Sequence, residues 1–334
     1  MSRILVTGAS GFLGRVLCRE LRQAGWEVRG TFHRGSPAAE PGVEWRRIGS
    51  ISGSTDWSNL LDGTEAVVHA AAVAHRIGPK AQVADAVYDE VNHRGTARLA
   101  AAARAAGVRR FVFVSSIGAV TDAAAETVDE TTLCLPVTPY GRSKLAAERA
   151  VASALAGGDC EWCILRPPML YGPGNPGNME RLLRLLRLPV PLPLGGLRNC
   201  RSFLYVLNLA DAVKLALAHP AAAGEVFCLA DDERLSTSEL LRALGRAAGR
   251  PVLLFGVPAG VLEFLGRMGG GCERLTGCSP GFNSEAVRKL QSSLPVSAAH
   301  FRARCGWRPP YRLAEGLAAT VGTSEPSCSA LPLP

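Results

Sequence analysis

The sequence has no apolar run near the ~20 residues that a membrane-spanning helix requires, so no membrane span is predicted. Aromatic side chains make up only 6% of the residues and rarely alternate with basic ones, which argues against a nucleic-acid groove. The chain opens directly into an apolar run, without a basic-then-apolar leader, so we expect a cytoplasmic protein. Because 47% of its 334 residues are apolar, it can bury a sizeable core.

A second cysteine pair, which would complete a four-ligand zinc site, is also missing. Ten cysteines are scattered along the chain, and Cys160 and Cys163 form a Cys-x-x-Cys motif that no second pair follows. Disulfides are rare in a reducing compartment, so we interpret the cysteines as small core side chains. No metal site is predicted.

Acidic residues are in the minority, with 29 against 37 lysines and arginines, which gives a formal net charge of +8. The excess is dispersed except for Arg181, Arg184 and Arg187, which recur at helical spacing. Such a surplus fits either an anionic ligand or a solvated basic surface.

The first 26 residues combine a short strand pattern, three glycines and an amphipathic stretch. Residues 4–6 are apolar, and apolar residues recur at about 3.6-residue spacing from Phe12 onwards. Gly8, Gly11 and Gly14 lie at the turn between the two patterns, where glycine permits positive φ and close backbone approach. The start of a helix offers unpaired N–H groups to an anion. The pattern favours a dinucleotide-binding turn over an ordinary strand-to-helix connection.

Strand and helix patterns alternate through the first half of the chain. Apolar runs at residues 26–34, 66–72, 109–116 and 160–168 are predicted strands, and residues 96–106 are a predicted helix. The alternation predicts an α/β fold with a Rossmann-type doubly wound parallel sheet. We expect a dinucleotide-binding domain over 1–172 and a smaller C-terminal substrate-binding lobe over most of 173–320. Residues around 201–228 are expected to return to the first domain, and 321–334 to form a disordered tail.

A tyrosine and a lysine four residues apart form a second chemical motif. If the segment is helical, Tyr140 and Lys144 project from one face, and an ammonium ~6 Å away at a dielectric of ~20 lowers a phenol pKa by about two units. Such a phenol can exchange a proton with a hydroxyl while a hydride moves to or from a nicotinamide. Ser115 and Ser116 end the preceding strand, where doubly wound sheets open their ligand crevice. Taken singly, Tyr140 also fits a packed aromatic and Lys144 a solvated charge.

Together these motifs resemble the extended short-chain dehydrogenase/reductase family. The matching segments are TGASGFLG, VVHAAA, VNHRGT, FVFVSS, YGRSK, LRPPMLYGPG, RSFLYVLNLADAV and CGWRPP. The resemblance implies that Ser116, Tyr140 and Lys144 are the catalytic residues and that Tyr140 and Lys144 also contact the cofactor. It implies that the remaining cofactor contacts are Gly8, Ser10, Gly11, Phe12, Leu13, Gly14, Arg34, Ala70 and Pro167.

Within that family the sequence is most similar to enzymes that act on carbon 4 of UDP-sugars. The resemblance implies that the C-terminal lobe binds the nucleotide sugar through Asn178, Arg201 and Arg274, and that Ser116 also contacts the sugar. An arginine can hold a diphosphate through two parallel hydrogen bonds. Family members often pair through a four-helix interface that includes the helix of the catalytic tyrosine, so the resemblance allows a homodimer.

Two departures from the family pattern concern the cofactor. Members selective for NAD usually carry an acid after the second strand, whereas residues 31–34 read Thr-Phe-His-Arg. Arg34 suits a 2′-phosphate and favours NADP, although stacking on adenine leaves NAD open. Ser50 stands near the position where the family usually has an aspartate after the third strand.

The residues after Ser116 separate the possible reactions. Dehydratases of the family carry an Asp-Glu pair there, whereas residues 117–119 read Ile-Gly-Ala, so dehydration is disfavoured. Because Arg34 points to NADP, we expect a UDP-4-keto-sugar reductase, for example one forming UDP-N-acetylquinovosamine for surface polysaccharide. The alternatives are a 4-epimerase of UDP-glucose or UDP-N-acetylglucosamine, a hydroxysteroid-type dehydrogenase and a non-catalytic NAD(P)-sensing protein.

Overall fold

The computed structural model describes residues 2–33, 35, 40–74, 84–176, 178–186, 190–276 and 283–322. Its strands are β1 (Arg3–Thr7), β2 (Glu27–Phe32), β3 (Val43–Arg47), β4 (Ala66–His69), β5 (Arg110–Val114), β6 (Glu161–Arg166), β7 (Met169–Tyr171), β8 (Arg201–Tyr205), β9 (Glu225–Cys228) and β10 (Arg234–Leu235). Its α-helices are α1 (Phe12–Gln23), α2 (Ser58–Leu61), α3 (Asp85–Tyr88), α4 (Gly95–Ala105), α5 (Pro139–Leu155), α6 (Asn178–Leu186), α7 (Val206–Ala218), α8 (Thr237–Ala247), α9 (Ala259–Thr276), α10 (Ser284–Gln291), α11 (Ala299–Cys305) and α12 (Leu313–Gly322). A π-helical segment, Asp89–Arg94, joins α3 to α4.

Seven strands form one parallel sheet in the order β3-β2-β1-β4-β5-β6-β9. The chain builds outward from β1 to β3, crosses back to β4 on the other side of β1, and continues outward again. The strand order therefore reverses between β1 and β4, which is where doubly wound sheets place their ligand. This topology confirms the predicted α/β fold with a Rossmann-type doubly wound sheet.

Both faces of this sheet are covered, as parallel sheets require. Ile4 and Val6 of β1 point to one face and pack in a core with residues of α1 and α7. Leu5 of β1, Val67 of β4 and Phe113 of β5 point to the other face and pack with residues of α4 and α5. The alternation along each strand explains why their sequences read as continuous apolar runs.

The chain leaves the large sheet after β6 and later returns to it. Strands β7, β8 and β10 form a separate three-stranded sheet in the order β10-β8-β7. Helix α7 then packs on α1, and β9 pairs with β6 to complete the large sheet. Helix α12 continues through Val321 and Gly322, two residues into the predicted tail, because Val321 packs against the apolar core of the second lobe. Residues 323–334 lie outside the described residues, and the domain boundaries stay a prediction.

No helix in the described part of the chain combines the length and apolar character needed to cross a bilayer. The Cys-x-x-Cys pair belongs to the core: Cys160 and Cys163 are buried thiols. Burial raises the pKa of Cys160 to about 11, which suits a packed side chain rather than a reactive thiol.

Candidate active site

Four adjacent strands end at the same edge of the large sheet, and the predicted site residues follow them. Gly8 follows β1, Ala70 follows β4, Ser116 lies two residues after the end of β5 and Pro167 follows β6. The segments after β5 and β6 are in direct contact, since the amide of Ile117 donates to the carbonyl of Pro167 at 2.9 Å. The structure therefore brings the glycine turn and the predicted catalytic serine together at the carboxyl ends of these parallel strands.

The glycine turn between β1 and α1 is packed too closely for side chains. Gly8 has φ of +68°, and a Cβ there would lie 2.8 Å from the backbone of Ala71. A Cβ on Gly14, in the first turn of α1, would lie 2.1 Å from the carbonyl oxygen of Gly8. Gly11 is the N-cap of α1 and has no side chain with which to accept from the first N–H groups of the helix. Backbone donors at a helix start suit a pyrophosphate, so these residues fit a dinucleotide cofactor.

Helix α5 carries the predicted catalytic tyrosine, and a glycine sets its position. Thr138 caps this helix by accepting from the amide of Gly141 at 3.1 Å. A Cβ on Gly141 would lie 2.3 Å from the carbonyl oxygen of Gly118, so only glycine lets α5 approach the turn after β5 this closely. That approach places the Tyr140 ring beside Gly118, where the Ser116 hydroxyl also lies: a Cβ on Gly118 would be 3.7 Å from the ring and 3.4 Å from Ser116 Oγ.

The Tyr140 hydroxyl has a raised pKa, whereas its spacing from Lys144 predicted a lowered one. Burial raises its pKa above the ordinary value, the Ser116 hydrogen bond lowers it, and Tyr88 raises it again. The Tyr88 and Tyr140 rings pack edge to face with centroids 6.3 Å apart. The prediction of a lowered phenol pKa is therefore wrong for this structure, because burial outweighs the favourable contacts.

Lys144 is buried one helical turn after Tyr140. Its Nζ donates to the carbonyl oxygen of Val114 at 2.8 Å and lies 4.2 Å from the centre of the Phe113 ring. Burial lowers the pKa of Lys144 to about 7, and the carboxylate of Glu148 partly opposes this shift. A lysine with such a pKa gains or loses its charge near neutral pH.

A buried ion pair lies behind Lys144, and sequence reasoning missed it. Arg166 of β6 contacts the Glu148 carboxylate with Nη2 at 2.6 Å and Nε at 3.1 Å. The Ser115 hydroxyl donates to the same carboxylate. The strand-end serines therefore separate, with Ser115 on the ion pair and Ser116 on Tyr140, because neighbouring residues of an extended chain point to opposite sides. Two features of the sequence could have indicated this ion pair: Glu148 lies four residues after Lys144, and Arg166 is a single arginine at the end of an apolar strand.

A buried hydrogen-bonded chain links β1, β4 and α4 behind the glycine turn. The Thr96 hydroxyl donates to the carbonyl of Asn92 at 2.6 Å, so it accepts from His69 Nε2 at 2.8 Å. His69 Nδ1 then accepts from the Thr7 hydroxyl at 2.6 Å, and Thr7 accepts from the amide of Ala71. Burial and the Lys144 charge lower the pKa of His69 to about 3, so the imidazole is neutral. The side-chain polar atoms of Thr7, His69 and Thr96 are therefore all hydrogen-bonded.

Asn92, in the π-helical segment, connects the end of β4 to α5. Its side-chain oxygen accepts from the amide of Val73 at 2.8 Å, and its Nδ2 donates to the carbonyl of Val73 and to the hydroxyl of Ser143. Ser143 in turn donates to the carbonyl of Tyr140 at 2.8 Å. Sequence reasoning quoted VNHRGT as a matching segment but gave Asn92 no role; the structure makes it a brace for the tyrosine-bearing helix.

Of the three residues predicted in the C-terminal lobe to bind the substrate, the structure describes the side chain of Arg201 alone. The Arg201 guanidinium, expected to bind a diphosphate, donates through Nη1 to the carbonyl of Lys289 at 2.6 Å and to the Ser292 hydroxyl at 3.0 Å. In this structure it therefore caps the C-terminal end of α10. Asn178 begins α6 and Arg274 lies in α9, but their side chains are outside the described structure, as is Arg34 altogether.

Comparison with known proteins places these features in context. The profile of the NAD dependent epimerase/dehydratase family matches residues 4–230. A UDP-glucose 4-epimerase of Vibrio cholerae is 33% identical over 324 residues, covering 95% of this chain and 94% of its own. The N-acetyl-alpha-D-glucosaminyl-diphospho-ditrans,octacis-undecaprenol 4-epimerase of Escherichia coli O157:H7 is 28% identical, covering 95% of this chain and 94% of its own. A Thermus thermophilus UDP-glucose 4-epimerase in complex with NAD superposes with a TM-score of 0.72 at 26% identity, covering 96% and 98% of the two chains.

Proposed function

Because the chain belongs to the NAD-dependent epimerase/dehydratase family of extended short-chain dehydrogenases/reductases, we propose that it is a 4-epimerase of a diphosphate-linked sugar. The observation that carries the proposal is that the Ser116 hydroxyl and the Tyr140 ring both lie against Gly118, within 3.4 and 3.7 Å of the position a Cβ would take there, at the carboxyl end of β5. The names of the Vibrio and Escherichia relatives, which combine a sugar diphosphate with 4-epimerase activity, support the choice of substrate and reaction.

The three residues take the roles that their surroundings allow. A nicotinamide cofactor, when bound, supplies the acceptor and donor of hydride at carbon 4. Ser116 is half-buried and holds the sugar hydroxyl beside Tyr140. Because its pKa is raised, Tyr140 must first release its own proton to solvent as positive charge is added beside it; the phenolate oxygen then takes the hydroxyl proton and later returns it. Lys144, with its pKa near 7, can add positive charge next to the phenolate without leaving its buried position. An epimerase uses this exchange twice, once to form the 4-keto sugar and once to reduce its other face.

A UDP-4-keto-sugar reductase is the second candidate. The observation in its favour is Arg34 after β2, whose charge suits the 2′-phosphate of NADP, the cofactor that cells keep reduced. The two candidates share their proton-transfer residues and differ in cofactor turnover. In an epimerase the hydride returns to the substrate, whereas a reductase consumes one reduced cofactor for each product.

The experiment incubates the purified chain with UDP-glucose, UDP-N-acetylglucosamine or a UDP-4-keto sugar and follows both product and reduced-nicotinamide absorbance. We expect the 4-epimer to form without net change in absorbance. Stoichiometric loss of NADPH with the 4-keto sugar, and no epimer, would establish the reductase instead. Turnover of a hydroxysteroid without any sugar nucleotide reaction would reject both.

Tyr140→Phe tests the chemistry itself. We expect the rate to fall by roughly two to four orders of magnitude, because the variant lacks the proton-transfer group, while cofactor affinity stays within about twofold. Tyr311→Phe is the matched control, since it removes a tyrosine hydroxyl from a side chain that packs on Tyr205 in the second lobe. Equal rates for the two variants would refute the assignment, and a parent chain that binds cofactor without turnover would support a sensing protein.

A further inference from the structure

Two side chains on one face of α5 hold consecutive residues at the end of β5. Lys144 donates from Nζ to the carbonyl oxygen of Val114 at 2.8 Å. One helical turn later, Glu148 accepts from the hydroxyl of the next residue, Ser115. Because Ser116 follows directly in the chain, these two contacts fix its position relative to the helix that carries the catalytic tyrosine.

The Glu148 carboxylate is buried as one half of an ion pair. Its side chain is 4% exposed, and that of its partner Arg166 is 7% exposed. The carboxylate oxygens accept from Nη2 of Arg166 at 2.6 Å and from Nε at 3.1 Å, in addition to the Ser115 hydroxyl. Charges at such depth are tolerated where each has a partner in good geometry. Glu148 therefore holds a negative charge in the interior, one helical turn from Lys144.

The two charges of this ion pair face different strands. Lys144 is packed toward β4, since its Nζ lies 4.2 Å from the centre of the Phe113 ring and that ring stacks on His69 of β4. Arg166 belongs to β6, on the other side of β5. Burial lowers the pKa of Lys144 to about 7, and the Glu148 carboxylate is the charge that opposes this shift.

Two other titratable groups face Lys144, and neither supplies a negative charge near neutral pH. His69 of β4 is neutral, because burial and the Lys144 charge lower its pKa to about 3. Tyr140, one turn earlier on α5, is a neutral phenol, because burial raises its pKa. The counter-charge for the buried ammonium therefore comes from Glu148.

We propose that Glu148 is a positioning residue of this site: anchored by Arg166, it keeps Lys144 charged and ties the end of β5 to α5. The inference rests on the function proposed above, in which a charged Lys144 supports the phenolate of Tyr140. Glu148 acts through these neighbours and needs no contact with the sugar or the cofactor. Without the carboxylate, burial would act on Lys144 unopposed and leave it uncharged near neutral pH.

A lysine titration measures this effect without using the reaction. The chain has four lysines, Lys80, Lys144, Lys214 and Lys289, so protein labelled with ¹³C at the lysine ε-carbon gives four NMR signals. The Lys144 signal is the one that Lys144→Arg removes, and in the parent it should titrate near pH 7. In Glu148→Gln it should titrate at least about one pH unit lower. A unit charge at ~6 Å and a dielectric of ~20 changes a pKa by about two units, so the effect is measurable.

A second variant covers the case in which Glu148→Gln does not fold. Glu148→Leu with Arg166→Met removes both buried charges together and should be the more stable of the two. We expect it nevertheless to keep the low Lys144 titration and to lower kcat at pH 7 at least about tenfold, with KM within about twofold. If Glu148 had a structural role alone, kcat would recover together with stability.

Glu285→Gln is the matched control. It removes a carboxylate that lies four residues from a lysine, as in the test, but the Glu285–Lys289 pair is exposed on α10 with its charged atoms 2.6 Å apart. Exposed pairs of this kind contribute little, so the Lys144 titration and kcat should match those of the parent.

Either of two results would overturn the proposal. One is a Lys144 titration that is the same in the Glu148 variants and the parent, whatever reaction the protein catalyses. The other is a double variant whose kcat equals that of the parent. A chain that turns over no sugar nucleotide would count against the function proposed above, and the lysine titration would then test the charge effect of Glu148 by itself.

Discussion

Replacing Gly14 by alanine tests the idea that the glycine turn is fixed by backbone contact. The new Cβ would lie 2.1 Å from the carbonyl oxygen of Gly8 and 2.6 Å from the Cα of Ala9. Restoring ordinary contact at about 3.4 Å needs a movement of more than 1 Å, and the obstructing atoms are backbone. Overpacking of this kind costs about 1–3 kcal/mol, and the better helix propensity of alanine offsets at most about 1 kcal/mol of it.

The measurements are the free energy of unfolding in urea and the affinity for NAD by calorimetry. We expect Gly14→Ala to unfold at lower urea and to bind NAD at least about tenfold more weakly, because the helix start that would face the pyrophosphate is displaced. Gly49→Ala is the matched control, since a Cβ there meets nothing within 4 Å and the residue does not have positive φ. Gly11→Ala should be intermediate, with its nearest contact at 3.2 Å. If Gly14→Ala behaved like Gly49→Ala in both assays, the close-packing argument would be refuted.

Three further predictions concern buried polar groups and a helix cap, all measured by urea unfolding. His69 has a pKa of about 3 when folded and an ordinary value near 6.5 when unfolded, so the unfolded chain binds more protons between these values. Stability should fall by roughly 1.4 kcal/mol per unit as pH drops through that window, and His69→Gln should flatten the slope; an unchanged slope would contradict this. Glu148→Gln should cost about 3–5 kcal/mol by leaving Arg166 buried and unpaired, whereas Glu148→Leu with Arg166→Met should cost clearly less; equal losses would count against the ion-pair argument. Ser236→Ala should cost about 1 kcal/mol because it removes half of the capping box of α8, and no loss would show that cap to be dispensable.

The main elements of the large domain could be predicted because their signals are local. Strands β1, β4 and β5 are buried on both faces, so they read as uninterrupted apolar runs between turn residues. Strand β3 is less evident: Glu44, Arg46 and Arg47 interrupt it because it lies at the edge of the sheet and is partly exposed. The position of β3 is evident from the strand order of the sheet and not from the residues of β3 itself.

The same distinction applies to the candidate site. Ser116, Tyr140 and Lys144 could be recognised because each lies in a short motif with a fixed position relative to a strand or helix. The contacts that support them join residues far apart in the chain, such as Thr7 with His69 and Glu148 with Arg166, and no local pattern reports such pairs. For Arg201 the predicted diphosphate contact stays a prediction. Its place at the start of a matching segment suggested a ligand contact, and no local pattern indicated that its Nη1 donates to the carbonyl of Lys289, 88 residues later in the chain.

The late return of the chain to the large sheet restricts how this protein can be divided. Residues 225–228 pair with β6 only after the polypeptide has built β7, α6, β8 and α7. A fragment ending at residue 172 would present the β6 edge to other molecules as a template for aggregation, and it would strip α1 of its packing partner α7. Separate expression of a nucleotide-binding half is therefore a poor engineering strategy, and permuted or split versions should keep residues 161–228 on one polypeptide.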